Sequence, residues 1–284
     1  MAHGNGTLFL VGTPIGNLGD LSDRARKTLG SVDVVACEDT RRTGRLLASF
    51  GIRAGRLVSF FEGNERQRVA ELVRLLAEGS DVAVVSDAGM PGLSDPGYRL
   101  VVACVEQGVP VDVVPGPSAA VAALVVSGLP TDRFVFEGFL PRSGRARATR
   151  LAALAGEPRT IVLFESPRRL AATLRDLLES IGDRRVAVAR ELTKLHQEVL
   201  RGSLSAVKDE AASRDMKGEV VVVIEGAGER DQPEGDAEEA ARLAASFVSE
   251  GARKREAARR AAAETGVSAR SIYEALVQSD EAEA

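Results

Sequence analysis

The chain has 284 residues, with 37 Lys and Arg against 41 Asp and Glu, a formal net charge of -4. Its length predicts about two domains and a sizeable core. The slightly acidic balance excludes capture of a polyanion by overall charge, so such a partner must meet a local basic patch. Two cysteines without Cys-x-x-Cys spacing, Cys37 and Cys104, and two histidines, His3 and His196, exclude a zinc or disulfide framework; a metal-free chain in a reducing cytoplasm fits. The N-terminus lacks a basic region ahead of an apolar core, and the longest mostly apolar run, residues 119–126, is too short for a bilayer. A soluble, unexported protein without membrane contact is expected.

Residues 7–11 predict a first buried strand, followed by the turn-rich loop Gly12-Thr13-Pro14-Ile15-Gly16-Asn17-Leu18-Gly19-Asp20 and a helix over 21–29. A second strand is expected at 32–37 and a helix at 64–78, where Asn64 with Gln67 three positions on is close to a capping box. The strand at 81–85 runs into a second loop, residues 86–97. There Asp95-Pro96 puts an N-cap ahead of a proline at the first position of a helix over 96–107. A strand at 111–114 leads into Pro115-Gly116-Pro117-Ser118-Ala119-Ala120, which opens another helical stretch. Short β-branched strands alternating with helices are the signature of a parallel sheet covered on both faces. Three loops of one character, each after a strand and before a helix, predict one cleft lined by backbone amides, the place where an open α/β sheet holds its ligand.

Further along, Arg142, Arg145, Arg147 and Arg150 crowd a stretch with only Ser, Gly, Ala and Thr between them. A solvated helix face mixes signs, so this block reads as a flexible phosphate-contacting loop, which Arg41, Arg42 and Arg45 extend. Strands at 160–164, 185–190, 198–201 and 219–224, with helices at 167–180 and 203–214, form a second α/β unit. Several of these strands follow one another without a long helix, so its sheet is mixed. Residues 227–236, with Gly, Pro, Gln and acidic side chains, read as a linker. The Ala- and Arg-rich remainder reads as helical throughout apart from a turn at Thr265-Gly266. The expected architecture is two α/β domains, 1–115 with a mostly parallel sheet and 116–226 with a mixed one. The linker and a small helix-turn-helix-like module at 237–284 follow. In that module Arg253, Lys254, Arg255, Arg259 and Arg260 point to RNA, while Ala257, Ala258, Ala261 and Ala262 equally suit a packed three-helix unit or a dimer contact.

Eight segments in order carry a resemblance: Gly12-Thr13-Pro14-Ile15-Gly16-Asn17-Leu18, Cys37-Glu38-Asp39-Thr40-Arg41, Ser86-Asp87-Ala88-Gly89-Met90-Pro91, Ser94-Asp95-Pro96-Gly97, Pro115-Gly116-Pro117-Ser118-Ala119, Phe164-Glu165-Ser166-Pro167, Arg190-Glu191-Leu192-Thr193-Lys194 and Lys217-Gly218-Glu219. With them the first 225 residues resemble the tetrapyrrole methylase superfamily of S-adenosylmethionine-dependent methyltransferases. The likeness is greatest to its bacterial branch that methylates the ribose 2'-hydroxyl of a decoding-centre cytidine in 16S ribosomal RNA. Porphyrin-type members usually carry Gly-Asp-Pro where Ser86-Asp87-Ala88 stands here, a departure that leans from tetrapyrrole to RNA. The resemblance implies a tetrapyrrole methylase-like fold, S-adenosylmethionine as cofactor, 16S ribosomal RNA or the small ribosomal subunit as partner, and a homodimer. Two rivals stand beside it: methylation of a tetrapyrrole such as uroporphyrinogen or a precorrin, and a non-catalytic RNA-binding factor in ribosome assembly.

Resemblance and loop chemistry together nominate the site. The cofactor residues are Ser86, Asp87, Ala88, Gly89, Pro115, Gly116, Ser118 and Ala119 on the first unit, with Phe164, Glu165, Glu191 and Leu192 closing the other wall by analogy. Small side chains there permit close approach of backbone amides. Asp87 anchors the cationic parts of the cofactor or closes an Asx turn. Glu38, Asp39, Glu165 and Lys194 lie at or near predicted strand ends and are candidates to take the ribose proton, Asp39 first, with a helix N-cap as its other reading. Arg41, Arg42, Arg142, Arg145, Arg147 and Arg150 are the expected RNA contacts. Aromatic residues make up 4% of the chain, so phosphate contacts and shape outweigh stacking.

Overall fold

The computed structural model describes residues 5–228 and 237–283. Five strands, β1 (Leu8–Val11), β2 (Val34–Cys37), β3 (Arg56–Ser59), β4 (Val82–Val85) and β5 (Val111–Val114), form a wholly parallel sheet in the order β3-β2-β4-β1-β5. Every residue of β2 and β4 is buried, which is why those strands are unbroken runs of Val, Ala and Cys. Helices α1 (Asp23–Ser31) and α2 (Thr40–Ser49) cover one face, with Leu21, Ala25, Leu29 and Leu47 packed on Val35, Cys37, Ala83 and Val85. Helices α3 (Glu65–Ala77) and α4 (Tyr98–Glu106) cover the other, with Leu72, Leu76, Leu100 and Cys104 on Val34, Ala36, Val82 and Val84.

The second sheet is mixed, as expected. Its order is β6-β7-β10-β8-β9, from β6 (Phe134–Phe139), β7 (Thr160–Glu165), β8 (Arg185–Arg190), β9 (Glu198–Ser203) and β10 (Val220–Ile224), with β6 and β7 parallel and the remaining pairs antiparallel. The central strand β10 shows the period of two: Val220, Val222 and Ile224 enter one core, Val221 and Val223 the other. The first core is closed by α6 (Gly144–Ala155), α7 (Pro167–Ile181) and α8 (Leu204–Ala212), the second by α5 (Ala119–Ser127) through Ala120, Ala123 and Leu124. On α7, Leu170, Leu174, Leu177 and Ile181 repeat at helical spacing and are all buried, and Pro167 starts the helix.

Several expectations are corrected. The helix after residue 64 lacks the expected side-chain cap: Asn64 Oδ1 instead accepts from the Phe61 N–H (2.8 Å) and its Nδ2 donates to the Ser59 carbonyl (3.1 Å). Helix α4 begins at Tyr98, two residues later than Pro96, because Gly97 at φ 139° breaks the chain direction first. Strands β3 and β6 and helix α2 had no predicted counterpart, and α6 replaces the expected arginine loop. The proposed linker lies mostly outside the described residues. Beyond it, α9 (Ala237–Ser249), α10 (Lys254–Thr265) and α11 (Ala269–Glu283) share a small core of their own. The expected continuous helix is also interrupted before α10, at Gly251 with φ 99°. Ala257, Ala258 and Ala261 pack inside, so the packing reading of those alanines holds. Arg260 lies 4.2 Å over the Phe247 ring and Arg255 6.0 Å over that of Tyr273.

Loops from β1, β2, β4 and β5 gather at the carboxyl end of the first sheet. Thr13 and Gly89 exchange backbone hydrogen bonds (2.9 and 3.2 Å), and the Thr13 hydroxyl donates to the Ser86 carbonyl at 3.1 Å. Gly12 and Gly116 meet backbone to backbone: a Cβ on Gly116 would sit 2.8 Å from the Gly12 Cα, and one on Gly12 2.6 Å from the Gly116 Cα. Neither neighbour is a flexible side chain that can yield. Gly116→Ala should therefore destabilise by about 1–3 kcal/mol in urea unfolding, whereas Gly156→Ala, at φ -94° with open space around it, should stay within about 0.5 kcal/mol of wild type.

Candidate active site in the cleft between the sheets

A cleft of about 380 Å³ opens between these loops and the second sheet. From the first unit come Ile15, Glu38, Asp87, Ala88, Asp95 and Ala119; from the second, Phe139, Phe164, Glu165, Leu192 and Val221. A smaller hollow of about 220 Å³ shares Ile15, Asp87, Ala88 and Glu219 with it and reaches Arg42, Ser86 and Lys194. The two halves are tied at the rim. The Asn17 N–H donates to Thr193 Oγ1 at 3.1 Å, and Gly16 lies so close to Lys194 that a Cβ would meet its Cγ at 2.4 Å. Opposite, a Cβ on Gly138 would meet the Ser94 hydroxyl at 2.9 Å. Among the described residues the non-glycine positions with left-handed backbone are Ser94, Glu191 and Thr193 (φ 64°, 51° and 66°); Ser94 and Thr193 make two of these ties, and Glu191 holds Lys194, which makes the third. Backbone strain concentrated at a cleft rim marks a shape held for function.

The charged residues sort by their partners. Asp87 Oδ2 accepts from Arg42 Nη1 (3.0 Å) and its Oδ1 from the Asp39 N–H (3.3 Å), while its own N–H donates to Glu38 Oε1 (3.2 Å). Asp87 is thus held by a cation and a neighbouring strand end. Glu38 is pushed above the usual carboxylate range chiefly by burial. Asp95 is pushed up to about 7 by burial and then by the charge of Glu38, against a hydrogen bond with Ser86. Glu38 and Asp95, carboxyl groups lining one half-buried cleft, cannot both ionise cheaply.

Of the four proton acceptors expected from sequence, only Glu38 faces the cleft free of a cation. Asp39 is the N-cap of α2: its carboxylate accepts from the Arg41 N–H (2.8 Å) and from the Arg41 guanidinium (2.9 and 3.2 Å), which holds it well below the usual range, and it lies outside the cleft lining. Glu165 is fully engaged: it accepts from the Ser166 N–H (2.7 Å), the Thr173 hydroxyl (2.6 Å) and Arg169 (3.1 Å). Lys194 is pulled down by burial, but its bonds to Glu191 (2.8 Å) and Glu219 (3.1 Å) outweigh that and leave its ammonium above the ordinary value. Asp95 stands in the sequence as a helix cap and within the Ser94-Asp95-Pro96-Gly97 segment, not among the nominated site residues, yet it lines the cleft; its signal was the loop it shares with Ser86 and Asp87.

The expected cofactor residues divide as well. Ser86, Asp87, Ala88, Ala119, Phe164, Glu165 and Leu192 line the cleft or its side hollow. Gly89 (φ 86°) and Gly116 shape the loops from behind, and Ser118 caps α5 by accepting from the Val121 N–H. Pro115 lies outside the lining. Glu191 accepts the Glu219 N–H at 2.9 Å and supports the wall instead of facing the space. Among the arginines, Arg147 is a correction: it is buried, and its guanidinium bonds Asp176 (2.9 Å), Thr173 (3.0 Å) and the Pro141 carbonyl (3.0 Å). Arg150 pairs with Glu137, and Arg41 with Asp39, while Arg142 and Arg145 are exposed.

The tetrapyrrole (corrin/porphyrin) methylase family matches residues 7–208. The chain belongs to that family. Within it, a relative from Thermotoga maritima called ribosomal RNA small subunit methyltransferase I is 54% identical over 78% of this chain and 99% of its own. One of the same name from Mycobacterium tuberculosis is 48% identical over 97% of this chain and 96% of its own. A solved methylase-family structure, uroporphyrin-III C-methyl transferase from Thermus thermophilus complexed with S-adenyl homocysteine, superposes with a TM-score of 0.54 at 20% identity, over 78% of this chain and 97% of its own. It shares the family fold.

Ionisation of Asp95 has a thermodynamic consequence. A carboxyl raised from 3.8 to about 7 favours the folded state while protonated, and that advantage is lost as pH rises through about 7. In urea unfolding, Asp95→Asn should gain on wild type between about pH 4 and 7 and level off above that; a difference independent of pH would contradict this placement of Asp95.

Proposed function

We propose that the cleft methylates the ribose 2'-hydroxyl of a decoding-centre cytidine in 16S ribosomal RNA, with S-adenosylmethionine as donor. Membership of the methylase family and relatives 48–54% identical named for small-subunit ribosomal RNA support methyl transfer to that RNA over a tetrapyrrole. The cleft fits the donor chemically. Glu38, Asp87 and Asp95 suit a sulfonium cation, and Ile15, Ala119, Leu192, Phe164 and Val221 suit an adenine face, in a volume typical of small-molecule sites. When bound, S-adenosylmethionine supplies an electrophilic methyl group.

The chain contributes alignment, partial exclusion of water and a destination for the hydroxyl proton. The observation that carries the reading is the Glu38–Asp95 pair in the cleft, because a carboxyl titrating at about 7 is matched to accept a proton at neutral pH. Asp39 then acts by position: it starts α2 and orders Arg41, while its N–H steadies Asp87. Glu165 fixes the start of α7 beside the cleft. Arg42, with Arg145 and Arg142, meets phosphate.

The protein works in the cytoplasm as a homodimer. Tyr98 and Val105 on α4, with Val111 and Val113 on the edge strand β5, leave an uncovered apolar face, whereas Asp112 between the valines pairs with Arg24. Sedimentation at micromolar concentration should show a dimer that Val111→Lys with Val113→Lys dissociates; a monomeric wild type removes this part.

Single-turnover methylation of small subunits lacking the modification tests the chemistry. Asp95→Asn should slow the step by about a hundredfold or more, and Asp39→Asn by less. A full rate in Asp95→Asn, with Glu38→Gln also unaffected, would remove the carboxyl pair from the mechanism.

A further inference from the structure

The edge strand β6 carries a bulge. Phe136 pairs with Val162 and Gly138 with the next residue, Leu163, so Glu137 is left over. In an unbroken strand Phe136 and Phe139, three apart, face opposite sides. The extra residue returns Phe139 to the side of Phe136, and both rings pack on Phe164, with centroids 4.9 and 5.6 Å away. Phe136 is largely covered there, but Phe139 stays 57% exposed. It stands at the cleft mouth and also lines a second, open groove of about 630 Å³ between β6 and α6.

That groove is floored by Ala146, Thr149 and Ala153, small side chains that permit close approach, and flanked by Arg145 and Arg150. Its single carboxylate, Glu137, is engaged by Arg150, so exposed Arg145 leaves the groove cationic. A peptide strand cannot extend the sheet here, because the bulge at Glu137 and the φ of 61° at Gly138 interrupt the edge. A ribose reacting inside the cleft has neighbouring nucleotides that must leave through its mouth.

We propose that this groove seats the single-stranded RNA beside the reacting nucleotide, with the adjacent base stacked on the Phe139 ring and a phosphate on Arg145. The inference rests on the RNA reading above and adds to it a base platform and a path. One aromatic face suits any base. The sequence-level expectation that phosphate contacts dominate is kept, with a single stack fixing register.

The test measures binding of a mixed-sequence single-stranded RNA of about twelve nucleotides by fluorescence anisotropy, with thermal unfolding as folding control. Phe139→Ala and Phe139→Leu should each weaken binding by about tenfold or more, and Phe139→Tyr should restore it to within about threefold. The same series should raise KM for small subunits. Arg145→Ala, on an exposed helix face, should reduce the slope of log affinity against log salt by about 0.7, and it carries the test even if Phe139→Ala unfolds. An unchanged salt slope, leucine binding as well as phenylalanine, or loss of S-adenosylhomocysteine binding in Phe139→Ala would each overturn the proposal. A wild-type protein that neither binds the oligonucleotide nor methylates subunits would instead overturn the RNA reading itself.

Discussion

Gly12 and Gly116 touch backbone to backbone, and the cleft depends on that contact. It brings the loops after β1 and β5 together, and the Thr13–Gly89 hydrogen bonds add the loop after β4. A parallel sheet always delivers its loops to one end, but it does not decide how closely they approach. Here two missing side chains set the approach, and the resulting surface carries Ile15, Asp87 and Ala88 into one wall. The second sheet closes the space through residues in strained backbone, Glu191 and Thr193, which the Lys194–Glu191–Glu219 network and the contact with Asn17 hold in place.

Partners, more than residue type, decide which acid does what. Asp39, Glu165 and Asp87 are each bound to an arginine. Glu38 and Asp95 face the cleft with raised proton affinity. The same rule separates the basic residues: Arg147 holds α6 to α7, and Arg145 remains for a partner. Removing a buried guanidinium such as that of Arg147 would strip Asp176 of the shorter of its two arginine contacts and leave the Pro141 carbonyl without that donor, a structural loss and not a binding one.

Much of the fold was legible because β2, β4, β7, β8 and β10 are dense in β-branched residues and buried on both faces. Strand β3 was missed because its Arg56-Leu57-Val58-Ser59 is short, at the sheet edge and only partly buried. Strand β6 was missed because its bulge breaks the alternation that marks a strand. Helix α6 looked like a loop because the acids that neutralise its arginines, Glu137 and Asp176, lie 13 and 29 residues away. Asp95 was hidden by local logic: Asp-Pro is a good helix start, yet Gly97 moved the start and turned the carboxyl to the cleft. The loops of the site were thus visible in sequence, while the assignment of roles within them needed long-range pairing.

The most direct test of this account is a crystal structure of the protein with S-adenosylhomocysteine. The account predicts its sulfur between the Asp87-Ala88 turn and the Ala119–Leu192 wall, on the side open to Asp95. A product molecule seated in the groove of Arg145 and Arg150, or held with the Glu38–Asp95 pair turned away from its sulfur, would contradict it.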